Sequence, residues 1–211
     1  MQPPVSDICV LCGLRDATTQ DHVPPRGFFK GLQAQFITVP ACSQCNNGAS
    51  SDDEDMRFFV SMQVGKQALG AAQLWDGAAL KSVKRKHSLR RQVVGTAREV
   101  AVTDTQGQRV ARLAVEVPAR LYDTVFGRTT RGLYFHHTGR LLPPQVRVQV
   151  WPLTSTPDLE VLQPLIQQEV AGGALSYWYG VAAEEPHSSL WLYRFYAQHW
   201  IQACTGDACD A

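Results

Sequence analysis

The reading starts from residues 9–47, CVLCGLRDATTQDHVPPRGFFKGLQAQFITVPACSQCNN, which hold two Cys-x-x-Cys pairs, Cys9/Cys12 and Cys42/Cys45, 29 residues apart. Two such pairs can supply four thiolates to one tetrahedral zinc ion at about 2.3 Å each, a spacing that few other structures require. Four thiolates fill the shell, so a metal here is expected to be structural, with no position open to water or substrate. Gly13 follows the first pair, as a tight turn that aims amides at the thiolates requires. Any chemistry must then come from neighbouring groups, and the nearest are Asp21-His22, between the pairs, and Asn46, directly after the last cysteine.

Taken in order, Cys-x2-Cys, Asp21-His22-Val23-Pro24-Pro25 and Cys-x2-Cys-Asn resemble the HNH (His-Me finger) endonucleases of the treble-clef type with a four-cysteine structural zinc. The resemblance covers residues 5–60, a little over a quarter of the chain. It implies a metal-dependent endonuclease acting on DNA. His22 would be the general base, and Asp21 with Asn46 would hold a catalytic Mg²⁺ or Mn²⁺; Asn47 stands by as a spare ligand. A neutral imidazole can take a proton from attacking water near neutral pH. Mg²⁺ suits a site with few protein ligands, because it keeps several waters and completes its shell from phosphate. The family's middle Asn is absent, since residues 36–41 read FITVPA, and Thr38, Gln35 or Gln33 would have to replace it. The rival reading is a catalytically inactive zinc module that binds nucleic acid or a protein partner.

The fold class expected is α+β. An N-terminal zinc-bound treble-clef ββα-metal module (1–64) leads through a basic helical linker (65–97) to a larger α+β domain (98–211). In a strand, adjacent side chains point to opposite faces, so Asp21 and His22 need a strand ending there to serve one phosphate, and Pro24-Pro25 suits that. Residues 36–39 read as a strand returning to the second cysteine pair. Ser51 with Glu54 has the spacing of a capping box, and the acidic run 52–55 suits a helix's first turn better than a second metal site. A looser helix is expected over 66–91. Residues 98–117 read as a hairpin turning at 105–108, and 118–135 as helix. Residues 146–151 form the clearest alternating strand, 158–170 read as helix despite Pro164, and strands follow at 175–181 and 190–196. Pro3-Pro4 reads as an extended leader.

Charge is uneven although the net charge is +1. Residues 1–60 hold four Lys/Arg and seven Asp/Glu, 81–147 hold fourteen and four, and 148–211 hold one and seven. Such asymmetry suits a chain with one face made for a polyanion. Lys81, Lys84, Arg85, Lys86, Arg90 and Arg91 are the expected nucleic-acid contacts, made to phosphates rather than bases. A hydrophobic share of 45% with five Trp supplies a core, to which the Trp are assigned. His136-His137 has no ligand partner at a recognisable spacing and reads as structural or phosphate-contacting. No long apolar run or signal-like start is seen, so a soluble cytoplasmic protein without membrane contact is expected. Metal-ligand spacing of four cysteines fits a reducing compartment, and Cys204 and Cys209 read as bystander thiols in a polar tail. Oligomeric state is not legible.

Overall fold

A computed structural model describes residues 6–62, 69–103 and 107–209. The expected leader, Val64, residues 66–68 and the turn residues Thr105-Gln106 lie outside the described residues.

The architecture is mixed α+β. β1 (Thr19–His22) pairs antiparallel with β2 (Thr38–Ala41), with Asp21 opposite Val39 and His22 opposite Thr38. The helix α1 (Ser43–Gly48) starts at once, with Cys42 as its N-cap and the Cys42 sulfur accepting from the Cys45 N–H. After Ala49 comes α2 (Ser50–Ser61), which buries Met56, Phe59 and Val60. Those apolar positions recur at helical spacing, so one face turns inward. Asp52 and Asp53 lie in its first turn as expected, but no capping box forms. Ser51 is already inside the helix and, with its carbonyl, takes Lys86, while Glu54 turns to Ser82 and Arg85.

A broken helical run follows: α3 (Leu69–Leu74), a π-helical turn (Trp75–Ala79), α4 (Leu80–Arg85) and α5 (His87–Thr96). It extends past the expected end. The hairpin comes next as β3 (Arg98–Thr103) with β4 (Arg109–Ala114), a two-stranded sheet that no other described strand joins.

The organising element is α6 (Ala119–Thr138), entered from Pro118 and closed by Gly139 at φ 69°, a left-handed position that glycine takes without steric cost. Leu121, Tyr122, Val125, Phe126, Thr129, Thr130, Leu133 and Tyr134 are buried, the i, i+4 recurrence of a continuous stripe. One contact shows how closely the helix meets the N-terminal part: a Cβ on Gly132 would stand 2.6 Å from Val23 Cγ1.

The remaining strands form one antiparallel sheet in the order β5 (Val148–Pro152), β9 (His199–Thr205), β8 (Ser189–Phe195), β7 (Leu175–Val181), β6 (Ile166–Val170). Tyr177, Tyr193 and Ile201 align in register on the face toward α6, where the Tyr193 hydroxyl lies 2.8 Å from that of Thr130. On the opposite face Trp178 and Trp200 stack, Arg194 lies over both rings, and Leu153, Leu162 and Leu165 pack against them.

Two sequence expectations are corrected here. Residues 158–170 are not one helix: α7 (Leu159–Leu162) is a single turn, after which the chain becomes the edge strand β6. Pro164 cannot donate to a continuing helix, and β7 offers a ladder instead. The tail is not a polar extension either. Residues 199–205 are an inner strand of the sheet, and Cys204 is fully buried and disulfide-bonded to Cys209, so these two are not bystander thiols.

The buried residues on both sides of the expected domain division belong to one continuous core. Phe28 and Phe29, from the segment between β1 and β2, pack on Phe195 at 5.7 and 6.2 Å between ring centroids, and the Tyr196 hydroxyl donates to the Phe28 carbonyl at 2.5 Å. No described helix is long and apolar enough to cross a membrane.

Candidate functional site

Cys9, Cys12, Cys42 and Cys45 converge so that their sulfur atoms all lie within 4.8 Å of one another. Tetrahedral bonds of about 2.3 Å put sulfurs roughly 3.8 Å apart, so this cluster can hold a structural metal such as zinc. Backbone makes the convergence possible: Gly13, at φ 66°, donates to the Cys9 carbonyl at 2.7 Å and turns the first pair back on itself. Arg15 donates through Nε to Cys42 Sγ at 3.2 Å and through Nη2 to Cys45 Sγ at 3.5 Å. Burial raises Cys42, but Arg15 and the Cys45 N–H outweigh it and bring the thiol down to about 6, toward the thiolate that binds metal. Four thiolates leave a zinc site with excess negative charge, and Arg15 sits where it offsets part of that excess.

Next to the cluster stands β1. Asp21, 9% exposed, turns inward, and its Oδ1 accepts from the His22 N–H at 2.8 Å. Its Oδ2 is buried, has no hydrogen-bond partner among the described residues and lies 3.9 Å from Arg128 Nη1 of α6. Burial raises the Asp21 carboxyl, and the Arg128 charge works against that. His22, the neighbouring residue, is half-buried, with its ring edge-on to Phe36 at 6.0 Å. Asn46 ties α1 to this strand: its Nδ2 donates to Thr19 Oγ1 at 3.1 Å and to the Gln20 carbonyl at 3.0 Å. Both amide hydrogens are so used, and Oδ1 has no donor among the described residues. Asn47 is exposed, and its carbonyl accepts from the Ser50 hydroxyl and the Ala49 N–H. Of the stand-ins for the middle Asn, Thr38 stands opposite His22 in register, while Gln33 and Gln35 are exposed in the connecting segment.

Two residues of this neighbourhood escaped the sequence reading. Arg128, whose side chain is 12% exposed, donates to Asp53 Oδ1 and Oδ2 at 3.0 and 3.1 Å and to the Cys45 carbonyl at 3.1 Å. Asp53, which the sequence offers only as part of a helix start, is pushed up to about 6 by burial, against the pull of Arg128. One guanidinium thus joins α6 to the metal knuckle, to β1 and to α2. Nothing local in the sequence marks Arg128 apart from the other arginines of the basic half.

A divalent cation on Asp21 and Asn46 meets a mixed fit. The amide oxygen and the unpartnered carboxylate oxygen are hard donors of the kind Mg²⁺ takes. Yet Asp21 Oδ2 already faces a guanidinium, and a dication there would repel it. The two oxygens could take the ion only with Arg128 displaced from Asp21.

The expected phosphate contacts divide. Arg85 is paired with Glu54, and Lys86 Nζ holds Asp55 at 2.6 Å and Ser51 Oγ at 2.8 Å. Lys81, Lys84, Arg90 and Arg91 are exposed, Arg91 lying 3.3 Å from His87 Nδ1. His137 is engaged by the core: Nε2 lies 2.9 Å from the Tyr177 hydroxyl and the ring stacks on Tyr179 at 4.2 Å. A groove of about 690 Å³ runs between α6 and β5 and reaches Arg128, with Gly127, Arg147 and Trp151 along it. Compared with known proteins, the chain matches no family model, no curated protein and no solved structure.

Proposed function

We propose that the chain is an HNH-type, metal-dependent endonuclease that hydrolyses phosphodiester bonds in DNA, with a zinc-clamped treble-clef module at its N-terminal end. The observation that carries this reading is the Asn46 amide, which joins the helix after the second cysteine pair to the strand ending in Asp21 and His22. Asp21 and His22 on β1 and Asn46 on α1 then lie on neighbouring elements that the cysteine cluster could clamp. His22 takes the proton from attacking water, a role typically worth about 10²–10⁴-fold in rate. Zinc on Cys9, Cys12, Cys42 and Cys45 would hold β1 and α1 in register. A divalent cation on Asp21 and Asn46 would neutralise charge at the phosphorus, and to bind there it must compete with Arg128 for Asp21. Arg128 keeps its bidentate hold on Asp53 if it yields Asp21.

The Arg128 contact also favours a second reading, in which Asp21 serves only as a structural ion-pair partner and the module binds without cutting. Nicking of supercoiled plasmid with Mg²⁺ and with Mn²⁺, beside His22→Ala, separates the two. The nuclease reading expects cutting by the parent and its near-complete loss in His22→Ala with the cysteine-bound metal retained. A parent inactive with either ion supports the binding module. Equal cutting by both proteins removes His22 from the mechanism.

A further inference from the structure

Asp21 is buried, yet its carboxylate is only half satisfied. Oδ1 accepts from the His22 N–H at 2.8 Å, whereas Oδ2 has no hydrogen-bond partner among the described residues. Leaving a buried carboxylate oxygen unmatched is costly, and native structures do so rarely. Its ion-pair partner, Arg128, stops at 3.9 Å, outside hydrogen-bonding range.

Arg128 is held elsewhere. Nη2 donates to both oxygens of Asp53, in the first turn of α2, at 3.0 and 3.1 Å. Nη1, the atom facing Asp21, donates to the Cys45 carbonyl of α1 at 3.1 Å. Two carboxylates thus share one guanidinium unequally: Asp53 has charge-assisted hydrogen bonds, and Asp21 has the Coulombic attraction alone. The place of the guanidinium is set by Asp53, and the positive charge felt at Asp21 Oδ2 follows from that place. Arg128 also lines the groove between α6 and β5, so it borders open space on a further side.

We infer that Asp53 and Arg128 form a latch that sets how strongly Asp21 takes a divalent cation. Arg128 opposes a cation at Oδ2, and Asp53 limits that opposition by holding the guanidinium back. Asp53 is therefore a positioning residue that acts only through Arg128. The inference rests on the nuclease reading for expecting a divalent cation at Asp21, and it gives Asp53 a role that the reading does not contain.

The test titrates Mn²⁺ into full-length, zinc-loaded protein without DNA and reads free Mn²⁺ by electron paramagnetic resonance. The parent is compared with Arg128→Gln, Asp53→Asn, their double variant, Arg128→Lys and Asp21→Asn, with circular dichroism and zinc content as controls on folding. A unit charge about 4 Å from an ion is felt strongly even at the effective dielectric of a protein surface. Arg128→Gln should therefore bind Mn²⁺ at least about tenfold more tightly than the parent. Asp53→Asn, which frees the guanidinium to close on Asp21, should bind it about tenfold more weakly, and Asp21→Asn should lose the site.

Both single variants break the same bridge, so loss of the bridge as mere structure would move both affinities the same way. The double variant separates the latch from two independent charges. Through a latch, Asp53→Asn has no effect once Arg128 is gone, and the double variant binds like Arg128→Gln; independent charges return it to the parental affinity. Where Arg128→Gln does not fold, Asp53→Asn and Arg128→Lys carry the test, because lysine keeps the charge but cannot hold Asp53 with two parallel bonds. Both should then weaken Mn²⁺ binding. The latch is overturned by single variants that shift in the same direction, by a double variant at the parental affinity, by tighter binding in Asp53→Asn or Arg128→Lys, or by Mn²⁺ binding that Asp21→Asn leaves intact. Plasmid nicking judges the nuclease reading separately: an inactive parent with the expected order of affinities sinks that reading and leaves the latch standing.

Discussion

Arg128 of α6 lies 3.9 Å from Asp21 Oδ2, which is buried and has no hydrogen-bond partner among the described residues, while its other terminal nitrogen holds both oxygens of Asp53. A single guanidinium thus answers two carboxylates from two different elements, and it does so beside the backbone of a cysteine ligand. Breaking a buried ion pair by removing one partner typically costs about 3–5 kcal/mol, because the surviving charge is left without compensation. Arg128→Gln should lower stability by about that amount at pH 7.5, measured by urea denaturation. The deficit should shrink as pH falls below about 6, where Asp53 takes up its proton in the folded state and no longer needs the guanidinium. If Mn²⁺ occupies Asp21 once Arg128 is gone, millimolar Mn²⁺ should restore part of the loss in the variant and little in the parent. An Arg128→Gln protein as stable as the parent at pH 7.5 would show that the triad contributes nothing.

Protein prepared without chelator should carry about one zinc per chain, and Cys9→Ser or Cys45→Ser should lose it together with the β1–β2 hairpin's order, because structural zinc contributes directly to folding free energy. Arg15→Ala should keep the zinc but release it faster to a chelator, since the hydrogen bonds to Cys42 and Cys45 disappear. Elemental analysis and the rate of zinc transfer to a chromogenic chelator measure both. Metal-free protein with native spectra would remove the clamp.

Two histidines should make the fold acid-sensitive. His137, half-buried against Tyr177 and Tyr179 with His136 beside it, and His199, half-buried with its ring stacked on Tyr122, are both held down to about 4, mainly by desolvation. In the unfolded chain each protonates near 6.5, so between about pH 6.5 and 4 the unfolded state binds more protons. Their contribution to stability is therefore complete above about 6.5 and is lost as pH falls toward 4. Denaturant titrations from pH 7.5 to 4.5 on the parent and on His199→Gln should show a shallower pH dependence in the variant. Identical slopes would mean that His199 titrates normally in the folded protein.

Thiol counting checks the tail. After removal of metal and denaturation without reductant, four cysteines rather than six should react with an alkylating agent, because Cys204 and Cys209 are bonded to each other. Loop-entropy arithmetic for so short a loop gives about 2 kcal/mol, so Cys209→Ser should lower unfolding free energy by no more than that. Six reactive thiols would return both residues to the reduced state.

What the sequence determined by itself is what short-range chemistry can specify. Cysteine spacing named the four ligands of the cluster, because a tetrahedral ion needs two close pairs and a connecting loop. The stripe from Leu121 to Tyr134 and the alternation around residue 148 marked α6 and β5, since burial of one face imposes a period of 3.6 or 2. Residues 166–170 and 199–205 were misread or missed for the opposite reason: an exposed edge strand and a polar-flanked inner strand show no clean alternation, and only the neighbouring ladders of β7 and β8 make them strands. The pairing of Cys204 with Cys209 likewise depends on β9 meeting the turn that follows it. Only the tertiary structure decided that Asp21 faces Arg128, that Arg85 and Lys86 are held by Glu54 and Asp55, and that β3–β4 stands without a third strand. Each depends on elements distant in sequence whose approach is set by the packing of α6. Coulombic partners leave no periodic trace in a chain, so such contacts become visible only when the core that brings them together has formed.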